Sequence, residues 1–529
     1  MEAHDTSSKL LYEPLETGWF RLLHLKPSAE EGSEIHCDLV PYAVDSAPPY
    51  YSLSYTWGPD DNLRWIEIKG KPTGIRSNLW SALNRFRKPQ EEICMWVDDL
   101  CINQESIPER NQQIAIMSRF YAESQETLVW LGDSADDDRG ALSLFPVLKR
   151  IAGHEDLSQE EYFLASSFRK TPLNIRQVVI YVTRIILRLC HERPYWKRVW
   201  IIQEIALSRK VTVFCGNESL DWVLLEECIT MLPEKLPVRS FSRQLAQRDL
   251  SHTEVVAIES SLDSIKGVLG PLVLMRSLQK FRNVQGDQSE QLFRSMSSLP
   301  YLMITFRDSE ATDLRDKIFA LLGVSSSSHG LKADYSKGVR EIYIEATRSF
   351  IQNSGRLDAF WWLTGNREEI LGSEFPSWVL DPRFIAEKTD SVGLALCDDD
   401  LHQREFFATG RDSSKYRAKV EFIKNGNTLS VNGLLVDEIR FVSNSPPSRK
   451  SRLFSKNNDL AETITSWHDV ATLKQEDAPY CSASCNKSEA FWRTILQDKT
   501  IENSARKTSA RLPKVLTKHF RIPPSSQAE

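Results

Sequence analysis

Between residues 50 and 216, short apolar runs alternate with stretches whose apolar residues recur at helical spacing. The four runs that suit buried strands lie at 50–55, 93–97, 127–131 and 211–214. Strands that are apolar on both faces and separated by amphipathic helices are typical of a mostly parallel sheet covered by helices. The alternation therefore predicts an α/β domain with helices on both faces of its sheet.

Local signals place further elements between these strands. Residues 64–68, followed by Lys69-Gly70, indicate a small hairpin. Ser77 suits the cap of a helix whose apolar residues share one face. Ser106 and Glu109 stand at capping-box spacing, which predicts that another helix begins near Ser106. Two more helices are expected at 173–191 and 195–207.

The chain is long enough for several domains, and its pattern changes beyond residue 217. After a helical stretch, strand-like segments follow at Thr428–Val431 and 438–442. The expected parts are an N-terminal segment at 1–48, the α/β domain at 49–216, a mainly helical region at 217–370, a β-containing segment at 371–445, and a linker, short helix and poorly ordered basic tail at 446–529.

Composition excludes several classes of protein. The net charge of −6 leaves no basic footprint over the whole chain, so nucleic-acid binding is not expected. The most apolar run, 178–190, contains Arg184 and Arg188 and falls short of the ~18 uncharged residues of a membrane span. The N-terminus begins with acidic residues and lacks an apolar segment, so we expect neither a membrane span nor a signal peptide.

The nine cysteines are scattered along the chain. Cys481 and Cys485 form the one close pair, and no second pair or histidine pair follows at ligand spacing, so no metal site is expected. Reduced thiols are the default inside cells. We therefore expect an intracellular protein, located in the cytoplasm.

Two groups of candidate site residues follow the first two strands of the domain. Ser54 and Tyr55 lead into Trp57 and Gly58, which suits either core packing with a turn or the lining of a cleft. Asp98-Asp99 comes directly after the second strand. Carboxylates there point to the crevice where α/β sheets bind ligands, although capping a helix or bracing a loop explains them equally well.

A third candidate is Glu204, which follows Trp200 in a mostly apolar helix. A carboxylate inside such a helix is costly unless it is paired or faces a cleft. The segment also contains Arg193, Lys197 and Arg198, any of which suits a structural salt bridge. The sequence leaves both interpretations of Glu204 open.

Three segments, in this order and at this separation, resemble the signature blocks of the fungal heterokaryon-incompatibility (HET) domain. They are 51–58 (YSLSYTWG), 96–104 (WVDDLCINQ) with the following 109–110 and 117–132, and 193–204 (RPYWKRVWIIQE). Segments that often follow this domain are resembled by 315–323 (RDKIFALLG), 333–335 (ADY) and 376–379 (PSWV). Many family members also continue into a glycine-rich C-terminal segment, whereas this sequence becomes rich in Lys, Arg and Ser, so we expect that segment to be missing.

A more distant resemblance is to Toll/interleukin-receptor (TIR) domains. Their first strand ends in a step similar to Ser54-Tyr55, and their second strand ends at an acidic residue, as at Asp98. They also carry a Trp followed four residues later by Glu, the spacing of Trp200 and Glu204. This resemblance implies a TIR-like, flavodoxin-like sheet.

Together the resemblances imply a function and a site. The HET family acts in self/non-self recognition and programmed cell death, through protein partners and self-association. The TIR likeness implies NAD as a substrate, with Glu204 as the catalytic carboxylate for cleavage of the nicotinamide–ribose bond. The residues implied to line the substrate cleft are Ser54, Tyr55, Trp57, Gly58, Asp98, Asp99 and Trp200. The alternative is a non-catalytic, self-associating signalling module in which these motifs are structural.

Overall fold

The structure is a computed structural model. It describes residues 12–30, 32–59, 62–135, 139–152, 158–159, 175–231, 251–280, 290, 293–294, 296–354, 375–381, 420–423 and 428–431. The expected strand at 438–442, the cysteine pair and the predicted tail at 446–529 lie outside these residues.

Nine of the described strands form one mixed sheet. In chain order they are β1 Trp19–Leu25, β2 His36–Ala43, β3 Tyr51–Tyr55, β4 Leu63–Ile68, β5 Lys71–Arg76, β6 Ile93–Trp96, β7 Glu126–Trp130, β8 Val211–Cys215 and β9 Glu218–Asp221. Their order across the sheet is β5-β4-β2-β1-β6-β3-β7-β8-β9. A separate antiparallel pair consists of β10 Val420–Ile423 and β11 Thr428–Val431.

The centre of the sheet is parallel. β3 pairs with β6 on one side and with β7 on the other, and β7 pairs with β8 in the same direction. The four strands predicted from apolar runs are therefore confirmed as neighbours in one sheet. Long helical connections between them permit this arrangement, because parallel neighbours need a crossover.

The flanks of the sheet add antiparallel strands to the parallel centre. β1 runs antiparallel to both β2 and β6, and β9 runs antiparallel to β8. The β4–β5 hairpin is confirmed, and its turn contains Lys69 at φ 51° and Gly70 at φ 72°. Two consecutive residues with positive φ match the type I′ turn that the right-handed twist of a hairpin favours. Short connections of this kind force the strands that they join to be antiparallel.

The described helices cover this sheet and continue beyond it. They are α1 Ser77–Phe86, α2 Asp98–Cys101, α3 Ile107–Glu123, α4 Phe145–Ala152, α5 Ile175–Glu192, α6 Ile201–Ala206, α7 Trp222–Met231, α8 His252–Lys280, α9 Leu299–Thr305, α10 Asp316–Leu322 and α11 Val339–Ser354. The helix expected at 195–207 is divided into a 3-10 turn, Pro194–Lys197, and the short α6.

Apolar side chains on the two faces of β7 belong to different core clusters. Leu128 and Trp130 pack in a cluster with side chains of α1 and α3. Val129 and Leu131 pack in the other, with side chains of α5, α6, α8 and α10. Because successive side chains of a strand point to opposite faces, both faces of the sheet centre are buried.

Candidate functional site

Polar and aromatic side chains meet where β3 and β6 end. The two strands are parallel neighbours, so their carboxyl ends lie at the same edge of the sheet. Just beyond them, Nε1 of Trp57 donates to Oδ2 of Asp98 at 2.9 Å. Arg76 lies close to this pair. Its Nη1 is 3.5 Å from Oδ1 of Asp99, and its guanidinium is 4.9 Å from the centroid of the Trp57 ring. These four side chains form a half-buried outer layer.

Glu204 lies deeper, on α6, and is only 3% exposed. The Ser54 hydroxyl, next to the end of β3, donates to Oε2 of Glu204. The hydroxyl of Tyr195 lies 2.6 Å from Oγ of Ser54, and it donates because Ser54 has already used its proton. The Tyr121 hydroxyl, on α3, also hydrogen-bonds to the Glu204 carboxylate. Hydroxyls from β3 and α3 therefore bond to this carboxyl directly, and the Tyr195 hydroxyl supports it through Ser54.

Arg198 supplies positive charge that attracts both carboxyl groups. Its Nη1 donates to the backbone oxygen of Tyr55 at the end of β3. Burial works against the charge of this guanidinium, but the attraction of Glu204 and Asp98 prevails and raises its pKa. Arg198 is therefore bonded to the end of β3 and interacts with both carboxyl groups through its charge.

The pKa values of both carboxyl groups lie above their ordinary range. Burial raises the pKa of Glu204 to about 7, with a further contribution from the charge of Asp98, while Arg198 and the bonds from Ser54 and Tyr121 oppose the rise. Burial likewise raises the pKa of Asp98. Displaced carboxyl groups of this kind are enriched at functional sites, although structural ion networks contain them too.

Tyr55 and Gly58 have different surroundings although both lie near the end of β3. Tyr55 is 1% exposed, and burial, followed by the charges of Asp98 and Asp99, raises its pKa well above the usual value. Gly58 is exposed and has φ +79°. Side chains other than glycine rarely adopt this conformation, so the turn after β3 depends on glycine here.

Trp200 is directed towards a later part of the chain. Its half-buried indole hydrogen-bonds to Asp316 at the start of α10. The Tyr335 hydroxyl donates to the same carboxylate at 2.6 Å. Burial raises the pKa of Asp316 to about 6. The polar atom of Trp200 is thus engaged by α10, beyond the predicted α/β region.

The structure brings Ser54, Tyr55, Asp98 and Glu204 together around Arg198. Trp57 and Asp99 lie in the outer layer, Gly58 shapes the turn, and Trp200 contacts Asp316. The roles assigned to these residues stay predictions.

The sequence did not point to Tyr121 and Tyr195. Their hydroxyls and that of Ser54 form a polar ring around Glu204. Both rings are buried, and a tyrosine among apolar residues gives the same signal as one in a core. Arg198 was one of three candidate partners of Glu204, and nothing local in the sequence selects it.

The comparisons with known proteins point to one family. The model of the heterokaryon incompatibility protein (HET) family matches residues 50–204. Heterokaryon incompatibility protein 6, OR allele, of Neurospora crassa is 24% identical over 402 residues, which cover 68% of this chain and 57% of that protein.

This chain contains a HET domain.

The chain is also similar to a second incompatibility protein. The vegetative incompatibility protein HET-E-1 of Podospora anserina is 30% identical over 99 residues, 18% of this chain and 7% of that protein. The chain thus spans 57% of the first relative's length and a small part of the second's. No solved structure matches the chain. Within the described residues, no helix is both long and apolar enough to cross a membrane.

Proposed function

We propose that this protein acts in fungal heterokaryon incompatibility, where its HET domain sets off programmed cell death or a related defence response. The observation that carries the proposal is the convergence of the three signature blocks. Block 51–58 supplies Ser54, block 96–104 supplies Asp98, and block 193–204 supplies both Arg198 and Glu204. Segments far apart in sequence therefore build one cluster, whose integrity the proposed response requires.

The test is expression of the full chain in a fungal host, with growth and viability as the measurements. The wild-type chain should impair growth, and Gly58→Val should relieve the impairment because valine is strained at φ +79°. Gly338→Ala is the matched control, since open space surrounds a Cβ added at that glycine. If wild type and Gly58→Val are equally harmless at equal protein levels, the death response is refuted.

The second candidate function is TIR-like cleavage of NAD inside this response. The four parallel strands at the sheet centre are β3, β6, β7 and β8 in chain order. Numbered 1 to 4, they lie in the order 2-1-3-4, which is also the order found in flavodoxin-like sheets. Ligands of such sheets bind at the carboxyl ends of the strands. The cluster of Trp57, Asp98, Arg198 and Glu204 lies at this edge, which favours this candidate.

The proposed reaction is a hydrolysis. The bond between the ribose carbon and the nicotinamide nitrogen breaks, and its electron pair leaves with neutral nicotinamide. Water then adds to the ribose carbon and releases one proton. Ionised Glu204 would stabilise the positive charge that develops on the ribose, as a preorganised carboxylate can. Since Glu204 is 3% exposed, the polar ring around it must open before substrate reaches it.

The burial of Glu204 equally supports the non-catalytic alternative, in which the HET domain signals by self-association with the cluster as a structural element. The two mechanisms separate when the purified full chain is incubated with NAD at high and low protein concentration. Catalysis predicts nicotinamide release that falls about 10²–10³-fold in Glu204→Gln, as for loss of one preorganised electrostatic contact. Concentration-dependent assembly without any nicotinamide release would refute NAD cleavage and support the non-catalytic signalling module.

A further inference from the structure

Residues 310–335 lie outside the part of the chain that the HET family model matches, yet they contact the segment that contains Glu204. Glu310 pairs with Arg198 in a parallel β-bridge. The amide of Val199 donates to the Glu310 oxygen at 3.0 Å, and the Glu310 amide donates to the oxygen of Lys197. This backbone pairing holds Arg198, the cation of the cluster, from outside the HET domain.

A second contact reaches the residue next to Glu204. Gln203 is 2% exposed, and its Nε2 donates to the backbone oxygen of Ala320 at 3.3 Å. Its amide lies against Gly323, where an added Cβ would be 2.5 Å from Nε2 and 2.6 Å from Cδ of Gln203. Since carbon atoms in contact need roughly 3.5–4.0 Å, any side chain at 323 must displace Gln203.

The same segment is anchored to α3 at its far end. Oδ1 of Asn111 accepts from the Tyr335 amide at 2.9 Å, and Nδ2 of Asn111 donates to Asp334 at 3.1 Å. The Arg110 guanidinium lies 3.8 Å from the centroid of the Tyr335 ring. Tyr335 in turn donates to Asp316, the partner of Trp200. The contacts at 310, 320–323 and 334–335 thus join α3 to the segment 197–204.

From these contacts we infer that residues 310–335 are a brace that positions Glu204, and that Gly323 is the positioning residue on which the brace depends. A glycine at 323 lets α10 approach α6 closely enough for Gln203 to reach the Ala320 oxygen. The adjacent Glu204 then stays within reach of the Ser54 hydroxyl. The inference concerns the site of the proposed function, but it makes no use of NAD or of a fungal host.

Hydrogen exchange of the full chain tests the brace. Gly323→Ala should speed exchange of the amides in 197–207 by about tenfold or more, because displaced Gln203 loosens α6 locally. Gly338→Ala, which places its methyl group in open space, should change those rates less than twofold. Unchanged exchange at 197–207 in Gly323→Ala would overturn the inference.

Gln203→Ala tests the same contact from its other side. It removes the amide that bonds to the Ala320 oxygen, so this variant alone should speed exchange in 197–207 as Gly323→Ala does. Because both changes act on one contact, the double variant should add little to either single change. The pH at which Glu204 titrates, obtained from unfolding curves compared with Glu204→Gln, should shift in both single variants and no further in the double variant. Additive effects of the two changes would mean that Gly323 does not act through Gln203, and would overturn its positioning role.

If Gly323→Ala unfolds the whole chain, Asn111→Ala provides the test from the other end of the brace. It removes the two bonds to 334–335 and should again speed exchange at 197–207. Asn353→Ala, at an exposed position on α11, is its control. Equal exchange in both variants would contradict the brace. A failed growth or nicotinamide assay, in contrast, would refute the proposed function and leave these exchange results standing.

Discussion

The HET domain and the strand preceding it contain two buried glutamates near arginines, and the two are held differently. Glu109 forms a fork with Arg21, with Nη1–Oε1 at 2.5 Å and Nη2–Oε2 at 3.1 Å, and the two side chains are 9% and 3% exposed. Glu204 is instead held by the hydroxyls of Ser54 and Tyr121, while Arg198 donates to a backbone oxygen. One carboxylate is neutralised by direct contact, and the other is near a charge to which it is not bonded.

This difference indicates which cluster can respond to its surroundings. A bidentate pair fixes both charges and their geometry, so it suits a permanent connection between elements. A buried carboxyl that titrates near neutral pH can change its charge under cellular conditions. Arg21 connects β1 to the start of α3, whereas Glu204 lies where β3 ends. We therefore assign a structural role to Glu109, and to Glu204 a role that depends on its charge state.

The largest effect is expected when the fixed pair is broken. Glu109→Gln leaves the buried Arg21 charge unpaired, which should cost about 3–5 kcal/mol in the free energy of unfolding. Urea unfolding at neutral pH measures the loss. Glu91→Gln, which breaks the exposed pair with Lys88, is the control and should leave the unfolding midpoint unchanged. Equal stability of the two variants would remove the structural role of the fork.

Glu204→Gln should act on the pH dependence of stability. Because the pKa of Glu204 rises from 4.5 to about 7 on folding, the fold favours its protonated form. That stabilisation is complete below pH 4.5 and is lost as the pH rises through 7, a decline of about 3 kcal/mol in the unfolding free energy. Glutamine resembles the protonated acid and does not titrate, so the variant should lack this part of the decline.

Urea unfolding of both proteins from about pH 4 to 8 gives this comparison, with other groups such as Asp316 common to both. The two stability curves should separate between 4.5 and 7, with the variant the more stable at the upper end. Parallel curves would show that Glu204 ionises normally in the fold. A variant less stable at pH 8 would show that its charge neutralises Arg198, as in the fixed pair.

The same two clusters show what the sequence could and could not predict. β3, β6, β7 and β8 were predicted because each is a short apolar run between helical stretches, and the structure pairs them in parallel. No element was assigned to 1–48, although β1 lies between β2 and β6. Arg21 interrupts the apolar pattern of β1, and its burial depends on a carboxylate 88 residues later in the chain. No local pattern reports such a partner.

Glu109 itself shows how a correct local signal can hide a distant contact. Its amide donates to Oγ of Ser106 at 3.3 Å, which confirms the helix cap that the spacing predicted. Its carboxylate, however, does not complete the reciprocal half of the capping box. The Glu109 carboxylate accepts hydrogen bonds from the Arg21 guanidinium and, at 2.8 Å, from the backbone N–H of Asn103. The contacts of Ser54 with Glu204 and Tyr195 are equally distant in sequence, which is why the polar ring became visible only in the structure.

The smallest effect is expected at the outermost bond of the polar ring around Glu204, the bond from Tyr195 to Ser54. Tyr195→Phe removes the donor to Ser54 and leaves the Ser54–Glu204 bond in place, so it should cost about 0.5–1.5 kcal/mol, as for one neutral hydrogen bond. Linked hydrogen bonds strengthen one another, so Ser54 should then donate more weakly. Since that donation lowers the pKa of Glu204, the pH window of Glu204 should move upward.

Tyr51→Phe is the control for this variant, because Tyr51 is a half-buried tyrosine on the same strand as Ser54. It should leave the pH window of Glu204 where it is in the wild type. Unfolding curves of the three proteins from about pH 5 to 8 distinguish the outcomes. A window displaced only in Tyr195→Phe makes the hydroxyl ring, and not Arg198 alone, the determinant of Glu204 ionisation. If the pH window is not displaced, Arg198 determines the ionisation of Glu204. The Glu204 cluster would then resemble the Arg21–Glu109 pair.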